Sequence, residues 1–394
     1  MIRRAVPLLL VTFAAAAPPQ APPPADDAAS LRQRAGTLIA QGKYDQAEEL
    51  LNEALTTLEK KGGPDDLSLA APLGELAALD RAQNRLDDAR DLYQRSIAIR
   101  RKAEGENSTG QIPDLKSLAA LYAATNKNTE AEVTFMRVVS LREKASPRDD
   151  LALAADCTDL ANFYIARKRF AVAEPNLLRA VALVEKNLGA VSHSLIAPLD
   201  ALVDVYMKLY RVKDAEAPLR REIAIEETTY GPAHENVATY LDRLAMVFYI
   251  ENRFADAQPL YERSLPIWEQ SMHPDDLPLA ASLDNLAVVY AKQEMFAKAE
   301  PLYRRSLAIK QKADVLAMNN LALTLEGKDD NAEAEKLYQR ALTMAERIPS
   351  IPRPNNVGEA EVLKRTLTNY ALLLRKLKRD PEAAKLEVRA SAIK

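Results

Sequence analysis

Apolar residues recur along this chain at three- and four-residue intervals, and the pattern itself repeats. Asp276 to Ala313, DLPLAASLDNLAVVYAKQEMFAKAEPLYRRSLAIKQKA, shows one unit of it. Leu279, Leu283, Leu286, Ala287 and Tyr290 form a stripe that predicts an amphipathic helix over Leu277 to Gln293. Ala299, Leu302, Tyr303, Leu307 and Ile309 form a second stripe, predicting a helix from Phe296 to about Lys312, with Arg304, Arg305 and Lys310 outside it. A hairpin of this size cannot bury its apolar face alone, so it needs stacked neighbours.

The chain supplies them at a fixed spacing. The small residue of the first helix recurs as Ala35, Ala77, Ala119, Ala161, Val203, Ala245 and Ala287, each 42 residues beyond the last. The second helix gives Ala47, Ala89, Ala131, Ala173, Ala215, Ala257 and Ala299, again 42 apart. Two anchors holding one period predict a solenoid of stacked helix pairs. Small residues suit the closest approach of helices whose axes lie roughly 8–10 Å apart. An eighth unit follows after 35 residues, at Ala322 and Ala334. A degenerate ninth carries Leu367, Tyr370, Ala371 and Leu374, then Ala383 and Leu386.

On these residues the chain resembles the tetratricopeptide-repeat proteins, in the longer-repeat form similar to the repeats of kinesin light chains. Ala287, Ala299, Tyr290 and Tyr303 stand at that family's small and aromatic positions, and HPDDLPLAASLDNLA, from His273, resembles its loop-and-start pattern. The resemblance covers about Ala28 to Lys394. It implies an all-α, right-handed superhelical solenoid of about nine antiparallel helix pairs, with first helices lining the concave face. It says little of function, because these repeats serve many unrelated partners.

Residues 1–17 stand apart. Arg3 and Arg4 precede an apolar run from Ala5 to Ala17 with small residues at its end, the layout of a secretory signal peptide. Cleavage after Ala16 leaves Ala at both specificity positions; an uncleaved anchor and a misassigned start codon are the alternatives. The run is shorter than the roughly 20 apolar residues of a membrane span. No Cys near it could accept a lipid. Pro18 to Ala29, PPQAPPPADDAA, reads as a stiff polar tether, leaving 30–394 as the solenoid. These expectations describe an exported protein, periplasmic or extracellular, without stable membrane insertion.

The formal charge is −3, and removing Arg3 and Arg4 with the leader takes it to −5. That balance argues against a general nucleic-acid binder, which carries a basic surface. Cys157, the single cysteine, occupies the register of Leu73, Leu115, Leu199, Leu241 and Leu283, and so reads as a core residue. His193, His234 and His273 fall in the loops that start first helices. Equivalent positions of stacked repeats stand about 10 Å apart, too far to share a metal held at about 2 Å. Asn107-Ser108-Thr109 matches a short glycosylation sequon. Pro175, Pro259 and Pro301 fall near the first turn of second helices, where few amides have acceptors. Phosphate-cradling glycine loops, Ser/His/Asp arrangements with supporting motifs and metal-ligand clusters are all absent from the sequence. The expectation is therefore a protein with no enzymatic activity, cofactor or metal.

What remains is surface. On the helical wheel Asp284 and Val288, two before and two after Leu286, project away from the stripe of Leu286 and Tyr290. Through the repeats this second stripe holds Asp200, Asp204, Asp242 and Asp284, with Asn162, Met207, Met246, Tyr249 and Ala291; Lys208 and Lys292 lie at one edge. The sequence thus predicts either a solvated acidic face or a groove for an extended, basic segment of another protein. The resemblance offers two contrasts: kinesin light chains accept acidic peptides in a basic groove, and some relatives clamp a C-terminal carboxylate with Lys and Asn. Here Lys116 suits such a clamp, but Ala120 stands where Asn is wanted. Three classes remain: a binding scaffold of the bacterial envelope, a self-associating structural protein, and an enzyme or the regulatory subunit of an envelope enzyme, with chemistry outside recognised motifs. The first is preferred.

Overall fold

A computed structural model describes residues 27–273, 276–310, 314–347 and 357–393. The leader, its cleavage site and most of the tether lie outside the described residues, as does Pro274 of the loop pattern. Among the described residues every regular element is helical, and the helices form nine consecutive hairpins. The chain divides into two compact units, Met1–Arg148 and Asp149–Lys394.

The first unit holds three hairpins: α1 (Ala28–Ala40) with α2 (Tyr44–Gly62), α3 (Ala70–Ala82) with α4 (Leu86–Glu104), and α5 (Ile112–Ala124) with α6 (Asn128–Lys144). Helix α1 starts inside the stretch read as tether. The Asp27 carboxylate accepts from the Ser30 amide at 2.8 Å and caps it, and Ala28 is buried. The second unit holds six: α7 (Asp150–Ala166) with α8 (Phe170–Leu188), α9 (Ile196–Lys208) with α10 (Glu216–Tyr230), and α11 (Glu235–Ile250) with α12 (Phe254–Ser271). Then come α13 (Leu277–Lys292) with α14 (Phe296–Ile309), α15 (Val315–Gly327) with α16 (Asn331–Arg347), and α17 (Val357–Lys376) with α18 (Asp380–Ser391). Within each unit a second helix also packs on the first helix of the next hairpin.

Both anchor series are buried throughout, from Ala35 and Ala47 to Ala371 and Ala383, so the helix pairs meet at their small residues. Cys157 is buried in the leucine register as expected. The period also governs the ends. Asp66, Ser108, Ser192 and His234, spaced by multiples of 42, each accept from the backbone amide two residues on, and so start the next helical segment. The helix-starting role expected of the histidines is thus seen at His234. The tight turn inside each hairpin needs a left-handed residue. Gly42 fills it in the first pair; Asn84, Asn126, Lys168, Tyr210, Asn252, Glu294, Asp329 and Lys378 fill it in the others. Outer charges tie successive repeats together: Arg85 to Glu48, Arg211 to Glu174 and Arg253 to Glu216, at 2.7–2.9 Å.

The prolines need a correction. Helices α8, α12 and α14 begin at Phe170, Phe254 and Phe296, which places Pro175, Pro259 and Pro301 at the sixth helical position. That is the second turn, where a proline removes one ladder bond instead of filling a site without an acceptor.

Candidate functional site in the second unit

The first helices of the second unit present one register on a common open face. It runs Asn162, Asp204, Met246, Val288, Leu323 and Leu372. Each side chain sits one residue after its buried anchor, and all but Val288 are exposed. Between α11 and α17 this face encloses a cavity of about 590 Å³. Tyr249, Val288, Ala291 and Lys292 form one wall, Leu316, Asn320 and Leu323 the other, and Arg365 and Asn369 close the far end. The sequence expects Tyr249, Ala291 and Lys292 on this face, and they line it.

The floor is polar. Asn319 is 0% exposed. Its Oδ1 accepts from Asn369 Nδ2 at 3.2 Å, while its own Nδ2 has no acceptor among the described residues. A buried amide hydrogen left without an acceptor costs about 1–3 kcal/mol. Lys292 and Arg365 are exposed at the rim, and Leu316 and Leu323 add exposed apolar surface. The cavity therefore offers amide donors, two cations and flanking apolar contacts to a ligand that supplies oxygen acceptors.

The expected acidic ladder is not a row of free carboxylates. Asp200, Asp242 and Asp284 stand three residues before Val203, Ala245 and Ala287, so they lie on the flank of the tightest helix contact. Asp242 is half-buried. Burial raises its pKa, while it accepts from Ser264 Oγ and, at 2.8 Å, from Trp268 Nε1 of α12. Asp284 is paired with Lys310 Nζ at 2.6 Å. Asp200 accepts from Arg243 Nη1, and Asp204 from Arg243 Nη2 at 3.1 Å. Of the other residues expected on this surface, Asn162 is exposed on α7, Met207 is half-buried on α9, and Met246 is exposed on α11.

Two groups escape the sequence reading. Asn319 continues the Asp200, Asp242, Asp284 register, but after a 35-residue step that hides it. Glu222 and Glu226 of α10 are fully or almost fully buried opposite Asp200. Their signal is a pair of acids at positions that hold Ser264 and Trp268 one repeat later.

Among known proteins, the sequence model described as the tetratricopeptide repeat matches residues 26–102, 74–144, 195–270 and 236–312, together more than half of the chain. A second model of the same description matches residues 315–348. No curated protein matches. Similar solved structures include BtubC (BKLC) from P. vanneervenii, 21% identical over 58% of this chain and 91% of that one, with a TM-score of 0.46. A putative kinesin light chain from Podosopora anserina is 20% identical over 52% and 99%, with a TM-score of 0.44. A signal-transduction ATPase with a tetratricopeptide-repeat sensor from Pyrococcus horikoshii is 14% identical over 89% and 52%, with a TM-score of 0.50. At these identities the structures speak to fold alone. The repeat matches, the nine hairpins and the double alanine register together establish that the chain belongs to the tetratricopeptide-repeat family.

Proposed function

We propose that this protein is a non-catalytic scaffold that holds an extended segment of another protein along the first helices of its second unit. Stacked repeats offer long, shallow surfaces suited to protein segments. The observation that carries the proposal is Asn319, whose buried Nδ2 lacks an acceptor among the described residues at the floor of the cavity. That nitrogen is sealed from solvent, so the floor must shift for a backbone carbonyl or carboxylate oxygen of the segment to supply the acceptor. Lys292 and Arg365 favour carboxylates at this end, and Leu316 and Leu323 take up apolar side chains. The basic part of the segment, expected from the aspartates, then belongs near α9 and not along a ladder.

Reversing Lys292 and Arg365 to glutamate together should weaken a partner captured by the wild-type protein about tenfold or more. Each exposed charge contributes about 0–1 kcal/mol and reversal roughly doubles the change. Equal retention of the same partner by both proteins, measured by titration after capture, would move the binding surface elsewhere.

The same proposal puts the scaffold in the bacterial cell envelope. Its support is the sequence of the first 17 residues, with Arg3 and Arg4 before the apolar run. No described helix is long and apolar enough to cross a membrane. N-terminal sequencing of the protein from a periplasmic fraction should begin at Ala17; a chain recovered only in the cytoplasm with Met1 intact would reject export.

A further inference from the structure

The fifth helix pair departs from its neighbours at two positions. Where α8, α12 and α14 carry Ala180, Ser264 and Ser306, α10 carries Glu222. One turn later, where α12 carries Trp268 and Lys310 follows α14, α10 carries Glu226. In the sixth pair Ser264 and Trp268 donate to the facing Asp242, and in the seventh Lys310 pairs with Asp284 Oδ2, while Asp284 Oδ1 and Ser306 Oγ have no partner among the described residues. In the fifth pair the facing aspartate, Asp200, meets two more carboxyls.

Glu222 is 0% exposed, and neither of its oxygens has a hydrogen-bond partner among the described residues. Around it stand Asp200 and Asp204 from α9, Glu226 from its own helix, and Arg243 and Tyr240 from α11. Arg243 is shared by Asp200 and Asp204. Glu226 accepts from Asn236 Nδ2 at 2.8 Å and lies 3.3 Å from His193 Nε2. Asp200, Asp204 and Glu222 thus gather around one guanidinium, with Glu226 beside Glu222. The side chains of Asp204 and Asp200 are 66% and 43% exposed, so the cluster opens outward through them. Asp204 shares the register of Met246, Val288 and Leu323, and so opens on the face that carries the cavity.

We propose that this cluster is a receptor for a single cationic side chain, an arginine or lysine of the bound segment, taken up on the Oδ2 side of Asp200 and Asp204, whose Oδ1 atoms Arg243 holds from within. The inference rests on the reading of this face as a binding surface and adds the chemistry of one residue of the occupant. Glu222 couples it to protons. Burial, with Asp200, Asp204 and Glu226 nearby, pushes its pKa up to about 9 against the pull of Arg243, so the carboxyl is neutral at pH 7. A cation added at Asp200 and Asp204 offsets the repulsion that keeps the proton on. The proton passes to solvent and the bound form carries a Glu222 carboxylate. Binding then strengthens as pH rises from 7 toward 9, by up to about tenfold per pH unit, and levels off above that.

The test uses the full chain and a short Gly/Ser peptide, acetylated and amidated, with one arginine, beside its twin carrying neutral citrulline. Amide shifts on α9, α10 and α11 should follow the arginine peptide and not the citrulline twin. Wild-type affinity should rise about tenfold or more between pH 7 and pH 9, with protons released in calorimetry, across buffers of different ionisation enthalpy, equal to the slope of log affinity against pH and never more than one. Glu222→Gln should bind with no such slope, and Glu222→Ala, which installs the residue α8 carries at that register, should behave alike if Gln perturbs packing. Equal binding of both peptides, or the same pH slope in wild type and variants, overturns the proposal. A partner lost on reversal of Lys292 and Arg365 but unaffected by Asp204→Asn overturns the cation receptor while leaving the cavity reading intact.

Discussion

Glu222→Gln is expected to stabilise the folded protein by about 2–3 kcal/mol at pH 7, with an effect that grows as pH rises. The carboxyl has an ordinary value of 4.5 and is pushed up to about 9 by burial and by Asp200, Asp204 and Glu226. A carboxyl whose pKa is higher in the folded state binds its proton more tightly there. The stability linked to that proton is fully present below pH 4.5, and it is lost steadily as pH climbs toward 9. Each tenfold difference in proton affinity between the folded and unfolded chain is worth about 1.4 kcal/mol. Glutamine has the same shape and no proton to lose, so the difference between the proteins should be near zero at about pH 4 and largest above about pH 9. Glu222→Ala should show the same pH trend. Urea unfolding at pH 5, 7 and 9 would reveal it as diverging midpoints. Wild-type and variant midpoints that run parallel across this range would mean Glu222 finds a hydrogen-bond partner or water that keeps it ionised.

The two alanine series made the fold legible because helix packing tolerates only small side chains at the closest approach, and the period carries that constraint along the chain. Asp200, Asp242 and Asp284 were legible as a series but not as contacts. Their distance from Leu286-type positions suggests an outward direction, yet they lie beside the alanine anchors and are partly covered by the second helices. Which donor meets them depends on residues more than 20 positions away, such as Trp268 for Asp242 and Lys310 for Asp284. The polar floor was hidden for another reason. Asn319 and Asn369 follow steps of 35 and 49 residues between repeats, so the 42-residue comparison passes over them. Glu222 was within reach, because an acid at a position filled elsewhere by Ala, Ser and Val conflicts with the packing rule of its own repeat. Such local conflicts are expected where function outweighs packing.

Ala245→Leu is expected to cost about 1–3 kcal/mol, the usual range for overpacking a filled interior. Ala245 is buried on α11, at the point where its hairpin partner α12 contributes the equally buried Ala257. Leucine adds three carbons where neither helix has room, and Leu241, Leu244 and Phe248 already fill the flanks. The helices must separate or the new side chain must leave its preferred rotamer. In a stacked array the damage is local, because each repeat touches only its neighbours. Hydrogen exchange should therefore lose protection first in α11 and α12, then less in α9, α10, α13 and α14. Met246→Leu, one residue along on the exposed face, is the matched control and should change stability by less than about 0.5 kcal/mol. If Ala245→Leu left both the urea midpoint and the exchange of α11 and α12 unchanged, the alanine would not mark a close approach, and the packing rule behind the whole 42-residue register would fail at its centre.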